Sequence, residues 1–254
     1  MSVSKIKATV FSQEQLASDV FSMWLEVGSI ASEAKPGQFI SVYSNDASKL
    51  LPRPISICEI ARENGRLRIV YRVVGYGTKE FSGDKSEDTC GIMGPLGNGY
   101  TLKKYKAILV AGGIGVPPML ELAKELDCEK TIVPGYRDEL FLNKEFEQYG
   151  KVVIATEDGS CGTKGNVLDA IRAEGVDGRV IYSCGPTPML RALKQYAADQ
   201  GIEAWVSLEE KMACGIGACL ACVCKSKDVD HHTNVHNKRI CKDGPVFNAQ
   251  EVEL

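Results

Sequence analysis

Four cysteines near the C-terminus have the types and spacing to hold a metal. Cys214, Cys219 and Cys222 form a C-x4-C-x2-C array, and Cys241 follows after a longer gap. This is the order and spacing of a plant-type [2Fe–2S] cluster. Gly215, Gly217, Ala218 and Ala221 lie between the thiols. Such residues let the backbone fold tightly around a cluster and bring N–H groups to its sulfurs. Two other readings use the same thiols. A structural zinc ion takes four cysteines in a closed tetrahedron, usually from two C-x2-C knuckles, whereas the second half here is Cys241 alone. Disulfides need an oxidising compartment, and Met1-Ser-Val-Ser-Lys lacks the apolar core of a secretory signal. Cys224, two residues past Cys222, shares its face in an extended segment and reads as a packed free thiol. His231, His232 and His236 all fall in the loop between Cys222 and Cys241 and read as a surface loop.

Three further motifs suit anionic ligands. Arg53-Pro-Ile-Ser56 offers a bidentate donor and a hydroxyl at the start of a strand. Val74-Gly-Tyr-Gly-Thr78 is a glycine-rich turn with backbone N–H groups free for an anion. Gly112-Gly-Ile-Gly-Val-Pro-Pro118 sits between a buried strand, Ala107–Ala111, and a helical pattern through Met119, Leu120, Leu122, Ala123 and Leu126. It reads as a phosphate site at a helix N-terminus. Pro117 interrupts the G-x-G-x-x-G dinucleotide fingerprint there. Cys184-Gly-Pro-Thr-Pro-Met189 turns from a strand end into a helix and leaves Cys184 at the mouth of a sheet. Taken alone, Cys184 is as well explained as a core thiol.

The elements that must position these groups change period along the chain. Before residue 100 the sequence predicts short strands at Val20–Val27, Gln38–Tyr43, Pro54–Cys58 and Arg66–Val74, with Asn64-Gly65 as a hairpin signal. That pattern predicts a small antiparallel barrel. From 101 to 206, strands at Ala107–Ala111, Thr131–Tyr136, Val152–Thr156 and Val180–Ser183 alternate with helices near Glu139–Tyr149, Asn166–Ala173 and Pro188–Ala198. Such alternation predicts a parallel sheet covered by helices, with ligands beyond its C-terminal strand ends. The expected domains are 1–100, a barrel; 101–206, an α/β nucleotide-binding domain; and 207–254, a small cysteine module. A chain of 254 residues has room for these. Its net charge of −3 gives no footprint for nucleic acid. No apolar run reaches membrane-spanning length. Ten cysteines in a chain without a signal predict a reducing cytoplasm.

The ordered set Arg53-Pro-Ile-Ser56, Gly75-Tyr-Gly-Thr78, Gly112-Gly-Ile-Gly-Val-Pro117 and Cys184-Gly-Pro186 resembles the ferredoxin–NADP reductase superfamily. The resemblance implies an FAD-binding barrel followed by a pyridine-nucleotide domain. By it, Arg53, Pro54, Ile55 and Ser56 would contact FAD. Val70, Tyr71 and Arg72 would line the flavin, and Gly77 and Thr78 would support its phosphates. Gly113 and Gly115 would lie at the nicotinamide-nucleotide diphosphate, with Cys184 at the nicotinamide as the catalytic residue. The stretch Glu209–Cys222 with Cys241-Lys-Asp-Gly-Pro-Val-Phe247 is similar to the electron-transfer subunits of class B dihydroorotate dehydrogenases. That family implies FAD, one [2Fe–2S] cluster on Cys214, Cys219, Cys222 and Cys241, and NAD. It also implies an FMN-containing catalytic partner in a heterotetramer of two plus two, working in pyrimidine biosynthesis. Gly135-Tyr-Arg-Asp138 leaves NAD against NADP open on residues alone, and the resemblance favours NAD. A flavin/iron–sulfur subunit of a ferredoxin–NAD(P) transhydrogenase, sulfite reductase or hydrogenase has the same build. A zinc-stapled binding module is the reading from a different class.

Overall fold

The computed structural model describes residues 5–46, 48–229 and 234–254; His231 and His232 lie outside them. The first strand, β1 (Lys5–Ala17), is long, and only Ala8 and Val10 of it are buried. It is followed by β2 (Val20–Glu26), a single turn α1 (Ile30–Glu33), β3 (Phe39–Tyr43), β4 (Arg53–Ala61), β5 (Arg66–Arg72), α2 (Tyr76–Phe81) and β6 (Thr89–Leu96). These strands close into an antiparallel barrel in the order β1-β2-β5-β4-β3-β6. The expected barrel is therefore present, with β1 and β6 added to the strands read from sequence. In β6, Cys90, Ile92 and Leu96 are buried at every second position, but Gly91, Gly94 and Pro95 dilute the alternation. The Asn64-Gly65 hairpin forms with a wider turn than two residues. Arg62–Asn64 make a 3-10 turn, Gly65 takes φ +61°, and Ala61 pairs with Arg66. The glycine-rich stretch after β5 is the start of α2 rather than an open turn.

The α/β part contains β7 (Ala107–Gly112), α3 (Pro118–Glu125), β8 (Lys130–Tyr136), α4 (Asn143–Phe146), β9 (Lys151–Val152), β10 (Ala155–Thr156), β11 (Thr163–Lys164), α5 (Val167–Ala173), β12 (Val180–Cys184), α6 (Thr187–Gln200) and β13 (Glu203–Ser207). A reciprocal cap starts α5. Asn166 accepts from the Leu168 and Asp169 N–H groups, and Asp169 accepts from the Asn166 N–H. The helix expected over Glu139–Tyr149 is reduced to α4. Glu139 instead accepts hydrogen bonds from Ser18 on the barrel, and Leu142 takes φ +66°. The strand expected over Val152–Thr156 is split between β9 and β10.

The remaining elements are β14 (Val223–Lys225), β15 (Asn237–Arg239), α7 (Ile240–Asp243) and β16 (Val246–Asn248). The large sheet runs β11-β10-β8-β7-β12-β13-β16, with β9 also on β8. Its strands are parallel except β16, which joins β13 antiparallel, with Ser207 opposite Val246. The cysteine segment is thus pinned to the sheet by its own last strand. One hydrophobic cluster joins all three parts: Phe39 and Leu96 of the barrel, Val206 of the sheet, and Met212, Cys222, Ile240, Cys241 and Phe247.

Buried charge fixes the barrel against the α/β part. Glu121, fully buried on α3, accepts from the Ile60 N–H at 2.9 Å and pairs with Arg62 at 3.4 Å. Arg68 is buried on β5 and reaches Glu59 at 2.9 Å and Glu145 of α4 at 3.0 Å. Each charge is paired, so the interface is polar yet specific.

Just after α2, partial burial and the carboxylates of Asp88 and Glu80 raise the Asp84 pKa to about 6 from 3.8. A raised carboxyl favours the fold in its protonated form. The penalty is absent below pH 3.8 and complete once pH rises through about 6. Asp84→Asn is expected to stabilise the protein by about 1 kcal/mol at pH 8, after discounting for partial exposure. It should leave Tm unchanged at the acid end of the stable range. Thermal melts at the two pH values check this.

Candidate functional site

The cysteine loop lies on the barrel. Gly215 (φ +69°) packs so closely that a Cβ there would stand 3.1 Å from Ser41 Oγ and 3.3 Å from Leu96 Cδ1. Gly217 (φ +83°) is covered by the Lys242 alkyl chain, whose Cδ would lie 2.6 Å from an added Cβ. Both positions need glycine, for left-handed backbone and for close approach. Backbone donors point at the sulfurs. Ala218 N–H donates to Cys214 Sγ at 3.2 Å, Gly217 N–H to Cys241 Sγ at 3.1 Å, and Cys241 N–H to Cys222 Sγ at 3.4 Å. Burial opposes ionisation of Cys214, but donors from Ile216, Cys219 and Ala218 bring its pKa down to about 6. Burial pushes Cys241 up to about 12, with the Cys222 thiol beside it adding to the rise.

The Cys219 side chain lies beside Cys214, and Cys222 beside Cys241. Among the described residues, no three His, Cys, Asp or Glu side chains gather as a single-ion site. Backbone N–H groups aimed at thiol sulfurs suit an iron–sulfur ligand loop. Cys219 is exposed, Cys214 is half-buried, and Cys222 and Cys241 are in the core. Arg239 braces the segment by pairing with Asp243 at 2.9 Å. Burial raises the half-buried Cys224 to about 11, as befits a packed thiol. His236 is exposed, with Nδ1 2.8 Å from the Lys227 carbonyl.

On the neighbouring barrel corner, β3 and β4 pair with Phe39 opposite Ser56, Ile40 opposite Ile55 and Ser41 opposite Pro54. Arg53 begins β4 and donates to the Leu51 carbonyl at 2.6 Å. Its guanidinium lies against Gly77, where a Cβ would be 2.8 Å from Nε. Arg53 and the first turn of α2 therefore form one cationic corner suited to a diphosphate. The Thr78 hydroxyl is engaged by its own loop. It accepts from the Val74 and Gly75 N–H groups and donates to the Gly75 carbonyl. Its part is to shape the turn. Along β5 the side chains alternate. Tyr71 points into the barrel, hydrogen-bonded to Gln13 and stacked on Phe21, while Val70 packs toward the α/β part. Val70, which is buried, and the half-exposed Arg72 lie on the face of β5 opposite the Tyr71 ring. Arg53→Ala is expected to weaken FAD binding by about 1.5–3 kcal/mol through loss of a charge-assisted contact. Flavin release under denaturant-free dialysis measures this.

The third group of residues closes the groove. Arg72 pairs with Asp19 at 3.1 Å, and its Nη1 is 4.0 Å from a Cβ built on Gly113 (φ +53°). Gly115 meets the end of β12: an added Cβ would be 2.4 Å from the Cys184 carbonyl oxygen. Cys184 is paired with Ala111 on β7 and Ser207 on β13. Burial pushes its thiol up to about 12, so it is neutral near pH 7 and suits contact rather than nucleophilic attack.

One positioning residue escaped the sequence reading. Asn98, after β6, donates from Nδ2 to the carbonyls of Asp243 and Val246 and accepts from the Val246 N–H. It ties the barrel to the segment after Cys241. Its signal, Gly97-Asn-Gly99, reads only as a turn.

Residues 209–253 match the family described as the iron-sulfur cluster binding domain of dihydroorotate dehydrogenase B. The dihydroorotate dehydrogenase B (NAD(+)) electron transfer subunit of Fusobacterium nucleatum is 42% identical over 260 residues, covering 97% of each chain. That of Bacillus caldolyticus is 40% identical over 262 residues, covering 99% of this chain and 100% of the relative. A solved NADH-dependent reduced ferredoxin-NADP oxidoreductase is similar with a TM-score of 0.87 at 30% identity, over 97% of this chain and 89% of that one. The flavohemoglobin of Malassezia yamatoensis is similar in fold alone, with a TM-score of 0.64 at 22% identity over 78% of this chain and 57% of that one. By its identity to these relatives over nearly its whole length, this chain belongs to the family of dihydroorotate dehydrogenase B (NAD(+)) electron transfer subunits.

Proposed function

We propose that this chain carries electrons between a dihydroorotate-oxidising partner subunit and NAD, using one [2Fe–2S] cluster and FAD. The observation that carries the reading is the meeting of three parts. The Cys214 loop touches Ser41, Ser41 pairs with Pro54 of the flavin motif, and Arg72 reaches the Gly113 turn. A nicotinamide exchanges two electrons as hydride, a [2Fe–2S] cluster exchanges one, and a flavin supports both. Arg53 and the start of α2 hold the flavin diphosphate. Val70 and Arg72 form the wall of the isoalloxazine groove. Gly113 and Gly115 leave room for the nicotinamide nucleotide at the strand ends, and Cys184 stands beside them as a neutral contact. Cys214, Cys219, Cys222 and Cys241 hold the irons, with the backbone N–H groups offsetting thiolate charge. At the end of β8, Asp138 is exposed and its Oδ1 accepts from the Glu139 N–H; a carboxylate there repels a 2′-phosphate and supports NAD.

The substrate step falls to the partner. Oxidising dihydroorotate needs a base and an FMN-binding barrel of about 250 residues in its own right, and the described residues here form the small barrel, the α/β part and the cysteine module. The partner carries FMN, and the complex is a heterotetramer of two plus two. A ferredoxin-linked reductase is the second reading, favoured by the 0.87 TM-score to the NADH-dependent reduced ferredoxin-NADP oxidoreductase. Co-expression with a dihydroorotate-oxidising flavoprotein separates the two. The proposal expects a stable complex, one FMN per partner chain and orotate formation coupled to NAD reduction. No complex, together with rapid reduction of ferredoxin by NADH, would favour the second reading.

A further inference from the structure

Glu121 is a fully buried carboxylate that belongs to none of the three sites above. It stands on α3 three residues after Pro118, about 5 Å along the axis from the end of the glycine-rich turn. Both its oxygens face the barrel. Oε2 accepts from the Ile60 N–H at 2.9 Å, and Oε1 lies 3.4 Å from Arg62 Nη1. Lys124, 3.6 Å from Oε2, donates from Nζ to the Ile60 carbonyl at 3.3 Å. Arg62 also pairs with Glu125 and donates to the Ala34 carbonyl at 3.1 Å. The register of β3 on β4 ends at Ser56, and the Ile57 N–H donates to the Gln38 carbonyl. Farther along β4, side chains of α3 take both backbone groups of Ile60, as a neighbouring strand would.

The two elements joined by this clamp each begin at one of the candidate sites. β4 starts with Arg53–Ser56, the flavin motif, and runs on to Ile60 and Ala61. α3 follows directly on the Gly113–Gly115 turn. Cys58 of β4 and Val70 of β5 share an apolar cluster with Met119, Leu120 and Leu122 of α3. Apolar contact holds the helix on the barrel but is non-directional, whereas hydrogen bonds to one backbone unit fix the register. We propose that Glu121 is a positioning residue for hydride transfer: by clamping α3 to Ile60 it sets the spacing between the flavin motif and the nucleotide turn. A hydride passing from the dihydronicotinamide to FAD carries two electrons and one proton, leaving NAD and reduced flavin. Its rate depends steeply on that spacing. The proposal rests on the placing of FAD at the Arg53 corner and of the nucleotide at the Gly113–Gly115 turn.

The test is Glu121→Leu in the complete chain, with FAD and iron content measured alongside. Leucine keeps the apolar contact of α3 and removes the acceptor of the Ile60 N–H. Deuterium exchange at the Ile60 amide should quicken. The long-wavelength charge-transfer absorbance of nicotinamide stacked on flavin should weaken, and stopped-flow reduction of FAD by NADH should slow roughly 10- to 100-fold. Glu121→Gln keeps an acceptor oxygen for Ile60 and is expected to recover most of both signals. Should the leucine variant fail to fold, Lys124→Met removes the other half of the clamp from a half-exposed site and carries the same expectation. A folded leucine variant, or failing that the methionine variant, with native charge-transfer absorbance and native flavin reduction overturns the proposal, even if its Tm is lowered. Native exchange at Ile60 overturns it as well. A wild-type chain that holds FAD but shows neither the charge-transfer band nor flavin reduction by NADH would instead overturn the nucleotide assignment, so the two failures are distinct.

Discussion

Cys219→Ser is expected to yield a yellow, folded protein with almost no iron or acid-labile sulfide. Cys219 is exposed, so the change removes no core packing, in contrast to the buried Cys222 and Cys241. A serine oxygen is a poor replacement for a soft thiolate on iron. The proposed flavin corner at Arg53 and Gly77 and the proposed nucleotide turn at Gly113 and Gly115 belong to other elements and should stay intact. FAD content and NADH-dependent dye reduction should remain within about twofold of wild type, while electron exchange with the partner falls by roughly 100-fold or more. Simultaneous loss of FAD would contradict the separation of the two sites.

Gly115→Ala has the opposite profile. The new methyl would lie 2.4 Å from the Cys184 carbonyl oxygen, 2.5 Å from its carbon and 2.7 Å from the Gly185 nitrogen. All three are backbone atoms at the end of β12, held between β7 and β13. They cannot rotate away as a side chain would, so the turn and the strand end must separate. Overpacking of this kind costs about 1–3 kcal/mol, and a displacement of about 1 Å at a reacting centre costs roughly 100-fold in rate. NADH oxidation should drop by that order, with FAD and cluster both retained. Stopped-flow reduction of the bound flavin by NADH reads the effect. A variant that reduces flavin at the native rate would mean that the Gly115 turn is not where the nucleotide binds.

Much of this was legible because the chemistry imposes its own spacing. Cys214, Cys219, Cys222 and Cys241 must sit at set intervals, and Gly112–Gly115 must follow a strand, whatever the fold around them. Elements without such a constraint were harder to read. Most of β1 is polar or half-exposed, so its alternation of Ala8 and Val10 is short. The apolar alternation in β6 is broken by glycines and a proline. Where the helix was predicted before Tyr149, Glu139 accepts from Ser18 on the barrel and Leu142 takes φ +66°, so only α4 is helical. Side-chain direction within β5 follows from strand alternation, but which face turns into the barrel depends on its closure. That is why the Tyr71 ring lies inside while Val70 and Arg72 lie outside. Asn98 acts across a long sequence separation, against Val246, and no local pattern marks such a contact.

The most direct measurement is anaerobic titration of the purified chain with NADH, followed by low-temperature EPR together with the visible spectrum. The Cys214 loop lies on β3, whose Ser41 pairs with Pro54; with FAD at the proposed site, this predicts bleaching of the flavin bands and the rhombic signal of a reduced [2Fe–2S] cluster in the same sample. Flavin bleaching without any iron–sulfur signal, in protein that contains iron and sulfide, would contradict the claim that electrons pass from the nucleotide through FAD to the cluster.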